Sequence, residues 1–465
     1  MRPPIWAHRV PLRMTDFSSL SIRGRIATSD DSDWDEARQA WNLAADQHPA
    51  AVALVESADD IAKVIGFARS NGLRVTGQGT GHGAISLGAL DEVILIKTER
   101  MRKVEIEGER ARAEAGALAE DVAGAASEQG LASMPGTSPN VGVTGYTLGG
   151  GLSWFGRKHG FACNRVSSIE LVTADGEPRT VDSTTDPDLF WALRGGGGGY
   201  GIVTALHIDL LPITEVYAGA LLLPPELTAD GLRAYRDWTA TAPEEAGSMV
   251  RMMNLPPLPD IPEPIRGKKF MAITVAFIGS QEEGEQAIAP LREIGEPIMD
   301  TFDQVPTTAL TRIAMDPEPP VPGVGHHSVL NELPDEAVDA FYEAGGPDSG
   351  SPLLLAELRH IGGALGRPAE NGGALDKLDG EFVMLGIGML MDPAMKDAID
   401  GQLDKLAEAT KPWAAEGGYF NYAERPCDVD AILPAATCER LALVKRSWDP
   451  DDLILANHAV ALATA

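Results

Sequence analysis

The sequence predicts an α+β fold in two parts, and three observations carry that prediction. Up to about residue 212, short apolar strands alternate with helical stretches and with glycine-dense loops. Beyond it, proline-rich stretches at 256–264 and 317–322 punctuate a strand-rich region. From Tyr419 onward the chain regains the character of its first part. The expected division is an N-terminal extension at 1–28, a first domain at 29–212, a second at 213–412, and a C-terminal segment at 413–465 that returns to the first.

In order, Trp34 and Trp41 stand at helix-compatible spacing within 29–46, and Ala50 to Val55 reads as a short buried strand. Ser57 is placed to cap a helix, with Asp60 three residues on and Ile61, Val64, Ile65 and Ala68 at helical spacing. Asn71-Gly72 is a stop signal. A strand at 73–76 then runs into Gln78-Gly79-Thr80-Gly81-His82-Gly83. Glu92 to Ile96 is an apolar strand, and the runs around Ile106 and Arg110 to Ala115 form a hairpin. An alanine-rich helix at 117–129 is closed by Gly130.

Pro135 to Gly151 is so dense in glycine and proline that neither a helix nor a plain strand is expected. A hairpin turns at Asp175-Gly176, a short helix follows at 186–193, and the glycine run at 195–199 leads into a strand at 202–206. In the second part, strands are expected at 270–278, 353–358 and 382–390, and helices at 281–294 and 392–410.

Composition narrows the function. The 465 residues carry 38 basic and 68 acidic side chains, a net charge of −30. That disfavours nucleic acid, whose phosphates require clustered Lys and Arg, and an anionic membrane surface. No run of 18 apolar residues occurs, so no membrane span is expected. Cys163, Cys427 and Cys438 cannot pair completely and fit no zinc spacing, which points to free thiols in a reducing cytoplasm and to no metal. His326-His327 has no third ligand nearby. Residues 1–14 are rich in proline and arginine and lack the apolar run of a signal peptide, so the head of the chain reads as a disordered extension, or Met14 as the start.

The loop at 78–83 offers backbone that approaches a ligand closely and one nucleophilic ring, His82. It lacks the strand, GxGxxG, helix order of a dinucleotide fingerprint, and a tight turn with an incidental histidine is the alternative. The segment at 135–151 reads either as backbone passing a large ligand or as packed turns.

Four motifs together resemble a family. They are Gln78 to His82; Pro135 to Gly151 followed by Arg157-Lys158-His159-Gly160; Asp186 to Gly195 ending in Tyr200 to Thr204; and Tyr419-Phe420-Asn421-Tyr422 with Leu441 to Lys445, Trp448-Asp449-Pro450 and Asn457. From about Trp34 to His458 the chain resembles the FAD-linked oxidases of the vanillyl-alcohol-oxidase superfamily, in the berberine-bridge-enzyme-like branch with a PCMH-type flavin domain. The resemblance implies a two-lobed, discontinuous FAD-binding domain and a substrate domain whose antiparallel sheet is covered by helices.

It also implies site residues. FAD contacts fall on Gln78, Gly79, Thr80, Gly81, His82 and Gly83 in the first motif. In the second they fall on Pro135, Gly136, Thr137, Ser138, Val141, Gly142, Gly145, Tyr146, Gly149 and Gly150. Gly201, Ile202 and Val203 follow in the third, and Asn421, Tyr422 and Asn457 in the fourth. His82 is the expected covalent tether to the flavin 8α carbon. Relatives that add a second link do so from a cysteine where this chain has Ser138, so a single link is expected. Gln78 replaces the family's arginine, Thr80 a frequent glycine, and Asn164 an aspartate. Val141 matches a position where valine admits dioxygen.

Tyr422 is the expected base, with Tyr419 as runner-up, and a phenol needs its pKa depressed to serve at neutral pH. Glu357 is a third candidate, on one strand face with Arg359, while His360 faces the other way. An exposed salt bridge is the alternative for Arg359, and aromatic packing for both tyrosines. The implied function is hydride removal from an alcohol or amine carbon of a small molecule, a sugar or secondary metabolite, with dioxygen as acceptor. A dehydrogenase using another acceptor and a non-catalytic flavin-binding protein are the rival readings. A monomer or homodimer is expected.

Overall fold

The computed structural model describes residues 15–259 and 261–460. Residues 1–14 of the expected extension lie outside them, and so does the question of a start at Met14.

Ser57 caps the helix Ala58–Asn71 by accepting the Asp60 amide hydrogen, and Gly72 ends it in the left-handed region at φ 68°. The helix covers a four-stranded sheet in the order Arg25–Ala27, Ala51–Leu54, Val93–Lys97, Arg74–Gln78. The last three strands are mutually parallel and the edge strand is antiparallel. The strand Arg74–Gln78 therefore delivers the glycine loop from the edge of a rigid sheet.

A second, antiparallel sheet runs Val104–Glu107, Arg110–Glu114, Gly201–Asp209, Val166–Thr173, Pro178–Asp182. These two lobes form the two-lobed α+β arrangement that the resemblance implies. The C-terminal stretch packs on both. Leu455 donates its amide hydrogen to the Val75 carbonyl, and Val75 donates to Leu453. The buried Lys445 ammonium donates to the carbonyls of Gly199 and Ile454 and to the Asp449 carboxylate, at 2.7, 2.8 and 2.5 Å.

The third sheet is antiparallel. Its main path runs Met299–Asp300, Glu215–Leu223, Lys269–Phe277, Ala246–Asn254, Leu355–His360, Phe382–Met389, Gly323–Leu330, with Asp303–Pro306 also on Glu215–Leu223. One face is covered by the helices Thr228–Thr239, Gln281–Arg292, Asp335–Gly345 and Lys396–Thr410, through a core that includes Val250, Met252, Ile273, Leu358, Met384, Phe341 and Leu403. Strand period then sends Arg251, Glu357, Arg359, Leu385 and Ile387 to the opposite face.

Three expectations need correction. The segment 135–151 does hold a helix, Val143–Leu148, because Val143 and Thr147 are buried on one side of it and Gly142 starts it without a side-chain cap. The stretch 29–46 yields only a short helix, Trp34–Arg38, and Trp41 lies past it. Pro393 sits in a separate 3₁₀ turn, Pro393–Met395, which precedes the main helix. Among the described residues no helix is long and apolar enough to cross a membrane.

Candidate active site

A cavity of about 450 Å³ opens between the helix-free face of the third sheet and the glycine loops of the first two lobes. That volume falls within the usual range for small-molecule sites, about 300–1,000 Å³. Its lining includes all of 78–83, together with Pro135, Gly136, Thr137, Ser138, Val141, Gly142, Gly145, Tyr146 and Gly149. Asn421, Tyr422 and Asn457, also expected, lie on its wall.

Gly81 is the one glycine of the first loop in the left-handed region, at φ 86°, and a Cβ there would meet the Ala40 methyl at 2.7 Å. This tight approach brings Trp41 beside the loop. The Trp41 amide donates to the Thr80 carbonyl, and its indole stacks on the His82 imidazole at 3.9 Å between centroids. His82 Nδ1 is 2.8 Å from the Thr80 hydroxyl, while Nε2 is buried without a partner. Burial lowers the His82 pKa to about 4, so the ring is neutral at pH 7.

A ligand cradle is visible in what the protein leaves unfilled. A Cβ built on Gly145 or Gly198, both cavity-lining, would touch nothing within 4 Å. Both amide atoms of Gln78 are buried without partners in the protein. Unsatisfied polar atoms beside open space fit a polar, multi-ring cofactor such as FAD. The Ser138 hydroxyl donates to Asn140. Cys163 is fully buried away from the cavity lining, and burial pushes its thiol up to about 12. Neither residue supplies a thiolate to a ligand in this cavity.

On the sheet wall, Arg251 and Glu357 are directly cross-strand, and Glu357 and Arg359 are two apart on one strand. Arg251 Nε donates to Glu357 at 2.6 Å and its Nη1 to Asp316 at 2.7 Å. Arg359 Nε donates to the other Glu357 oxygen at 3.0 Å. Burial acts to raise the Glu357 pKa, but Arg359 and Arg251 outweigh it and hold the carboxyl below its ordinary value. This corrects two expectations. Glu357 is fully buried, does not line the cavity and spends both oxygens on arginines, so it is not placed to touch a substrate. The Arg359 ion pair is buried rather than exposed.

Tyr419 and Tyr422 both reach the cavity, with rings edge to face at 5.2 Å. Tyr419 is held, its hydroxyl accepting from the Leu152 amide at 2.7 Å and from Asn421 Nδ2 at 3.1 Å. Burial raises its pKa, which leaves it poorly suited as a base. The Tyr422 ring lies 5.6 Å from the Arg359 guanidinium carbon. Burial pushes the Tyr422 phenol up to about 12 although Arg359 pulls it down. The expected depression is absent, and the phenol is protonated at neutral pH. His327 fastens this segment to the sheet: its Nε2 accepts the Tyr419 amide hydrogen at 2.8 Å, and burial keeps the ring neutral with a pKa of about 4.

Four expected FAD contacts lie elsewhere. Gly150 packs on Leu375, which a Cβ would meet at 2.6 Å, and does not line the cavity. Gly201, Ile202 and Val203 sit behind it, with the Ile202 side chain 3.5 Å from where a Gly77 Cβ would be. Gly197 and Gly198 line the wall instead. Trp41, Arg251, Asp316 and Glu424 also line it, and sequence reasoning missed them. The run at 195–199 was itself a usable signal. The other four come from segments that only the tertiary fold brings together. No group of metal-ligating side chains occurs among the described residues.

Residues 49–182 match the family described as an FAD binding domain. The chain is 26% identical to (R)-6-hydroxynicotine oxidase of Paenarthrobacter nicotinovorans, over 95% of this chain and 97% of that one. It is 33% identical to glucooligosaccharide oxidase of Sarocladium strictum over 46% of this chain and 45% of that one. Its fold superposes on berberine bridge enzyme from Eschscholzia californica with a TM-score of 0.75 at 19% identity, covering 89% of this chain and 90% of that one.

Proposed function

We propose that the chain, whose residues 49–182 match an FAD binding domain and which is similar over nearly its whole length to (R)-6-hydroxynicotine oxidase, is an oxidase of the berberine-bridge-like branch of the vanillyl-alcohol-oxidase superfamily. It removes a hydride from an alcohol or amine carbon of a small molecule, and dioxygen is the final acceptor. The observation that carries this reading is one cavity with a neutral imidazole, its Nε2 without a partner, on one wall and a tyrosine on the sheet side. Bound FAD supplies the hydride acceptor and the route to hydrogen peroxide.

The chain's own residues do the rest. His82 would hold the cofactor through a single C–N bond at the flavin methyl carbon, the displaced proton going to solvent and the two electrons through the flavin to dioxygen, because a neutral imidazole is nucleophilic and no thiolate faces the cavity. Gln78 offers an unpaired amide to it. Val141, on the cavity wall, leaves dioxygen a path. Tyr422 hydrogen-bonds the reacting hydroxyl or amine. Its phenolate form, which Arg359 favours, takes the substrate proton. The buried Arg251 and Glu357, with the half-buried Asp316, hold that arginine in place.

We also read the FAD-binding unit as discontinuous, 29–212 with 413–465. The Lys445 contacts and the pairing of residues 453–455 with Val75 support that division. A chain ended at 412 is expected to retain no flavin, and retention overturns the division.

Anaerobic addition of a panel of sugars, alcohols and amines tests the function. At least one class is expected to bleach the flavin, and air is expected to restore it with one peroxide per turnover. Bleaching that only an artificial acceptor reverses points to a dehydrogenase. A flavin that none of them bleaches contradicts catalysis.

A further inference from the structure

Among the described residues, Glu424 is the one cavity-lining carboxylate for which the structure gives no cation. Asp316, the other on the wall, is paired with Arg251. Glu424 sits two residues past Tyr422, above Gly325 of the strand Gly323–Leu330, whose Cβ would stand 3.0 Å from Oε2. Oε2 is buried and no side chain pairs with it; the Gly325 backbone amide is the one group that acts to lower the carboxyl pKa.

The charged and titratable groups on the elements around it are occupied elsewhere or carry no charge. On its own segment Arg425 pairs with Asp404 of the helix Lys396–Thr410, and Tyr422 is protonated at neutral pH. On the neighbouring strand His327 is neutral and bonded to the Tyr419 amide. Burial, with Arg425 behind it, holds the half-buried His326 below the ordinary histidine value. His458, also on the wall, is paired with the Cys427 carbonyl. The neighbouring strand Phe382–Met389 presents Leu385 and Ile387, which are apolar. A buried carboxylate without a counter-charge is costly unless a ligand provides one.

We infer that Glu424 makes this cavity a receptor for small molecules that carry a protonated amine, the ammonium group sitting against the Glu424 carboxylate. The assignment rests on the oxidase reading only in calling that molecule the substrate. Two further observations agree with it. The net charge of −30 draws cations toward the protein. Desolvation raises the Glu424 pKa to about 7, so the site gains its negative charge as the pH rises through neutrality. An arriving ammonium group stabilises the carboxylate and expels the proton that the acid form holds. Below pH 7, cation binding is therefore coupled to release of a proton to solvent.

Calorimetric titration of the FAD-loaded protein under nitrogen, with benzylamine and benzyl alcohol as probes, tests this without requiring turnover. The wild type is expected to bind benzylamine roughly tenfold or more tightly than the alcohol at pH 8. That preference should shrink as the pH falls from 8 to 6, with proton release visible as a dependence of the heat on buffer. Glu424→Gln should abolish the preference and the proton release while changing alcohol affinity less than about twofold. Glu424→Asp, which keeps the charge, should keep part of the preference. Equal affinity for the two probes across this range in the wild type, including no measurable binding of either, overturns the inference even if the variants fail to fold. So does an undiminished benzylamine preference in Glu424→Gln. A cation preference that persists in a protein whose flavin no substrate bleaches would sink the oxidase reading and leave this one standing.

Discussion

The Trp41 indole lies face to face with the His82 imidazole, with centroids 3.9 Å apart and planes 12° from parallel. The indole is itself fixed, since its Nε1 donates to the Glu318 carbonyl at 3.1 Å. A ring held on one face by stacking and at Nδ1 by Thr80 has little freedom to turn. Such a pair contributes about 0.5–1.5 kcal/mol beyond its burial. Trp41→Leu is expected to slow covalent attachment of added FAD by roughly 2–10-fold, with noncovalent uptake intact. Flavin retained in acid-precipitated samples over time measures this, and an unchanged rate would show that the stack does not orient His82.

The Tyr422 phenol, pushed up to about 12, fixes a pH dependence. If the phenolate takes the substrate proton, only a small fraction of the protein is active at pH 7. The rate of anaerobic flavin reduction should then rise with pH toward 12, by roughly tenfold per unit well below it. Tyr422→Phe is expected to lower that rate by about a hundredfold or more and to flatten its pH dependence. Stopped-flow reduction across pH 7 to 10 decides, and an unchanged profile in the variant would remove Tyr422 from the chemistry.

Glu357 is a structural carboxylate, and its loss should show as instability before it shows as lost chemistry. Removing it leaves Arg251 and Arg359 buried beside one remaining carboxylate, Asp316. Breaking a buried ion pair from one side costs about 3–5 kcal/mol. Glu357→Ala should lose that much in reversible denaturant unfolding. Because its folded pKa is depressed, the wild-type contribution is present above the ordinary carboxylate pKa and is lost as the pH falls through the folded value. A variant as stable as the wild type at pH 7, yet unable to reduce its flavin, would return Glu357 to the list of catalytic candidates.

Local rules carried the first part of the chain well. The Ser57 cap, the stop at Gly72, the hairpins and the strand Val93–Lys97 are decided by neighbours in sequence, and each is legible there. Glycine density misled at 143–148, since packing of Val143 and Thr147 overrode low helix propensity. The strands Glu215–Leu223 and Ala246–Asn254 were missed because they are buried over most of their length and show no polar alternation.

The same division holds for the site. The glycine loops and the Tyr419 to Tyr422 segment are contiguous motifs and were found. Arg251, Asp316, His327 and Glu424 acquire meaning only through register across the third sheet and the way loops close over it. The alternation argument did place Glu357 and Arg359 on one face together. It carried no information about Arg251 on the next strand, which turns that pair into a buried network.

We propose that this cavity holds FAD tethered through His82 alone. Acid precipitation of the purified protein, followed by proteolysis and mass mapping of flavin-bearing peptides, tests it most directly. A yellow pellet is expected, with flavin mass on the peptide containing His82, none on the peptide containing Ser138, and complete release of flavin from a folded His82→Ala protein. A colourless wild-type pellet, or flavin mapped to any other peptide, would contradict it.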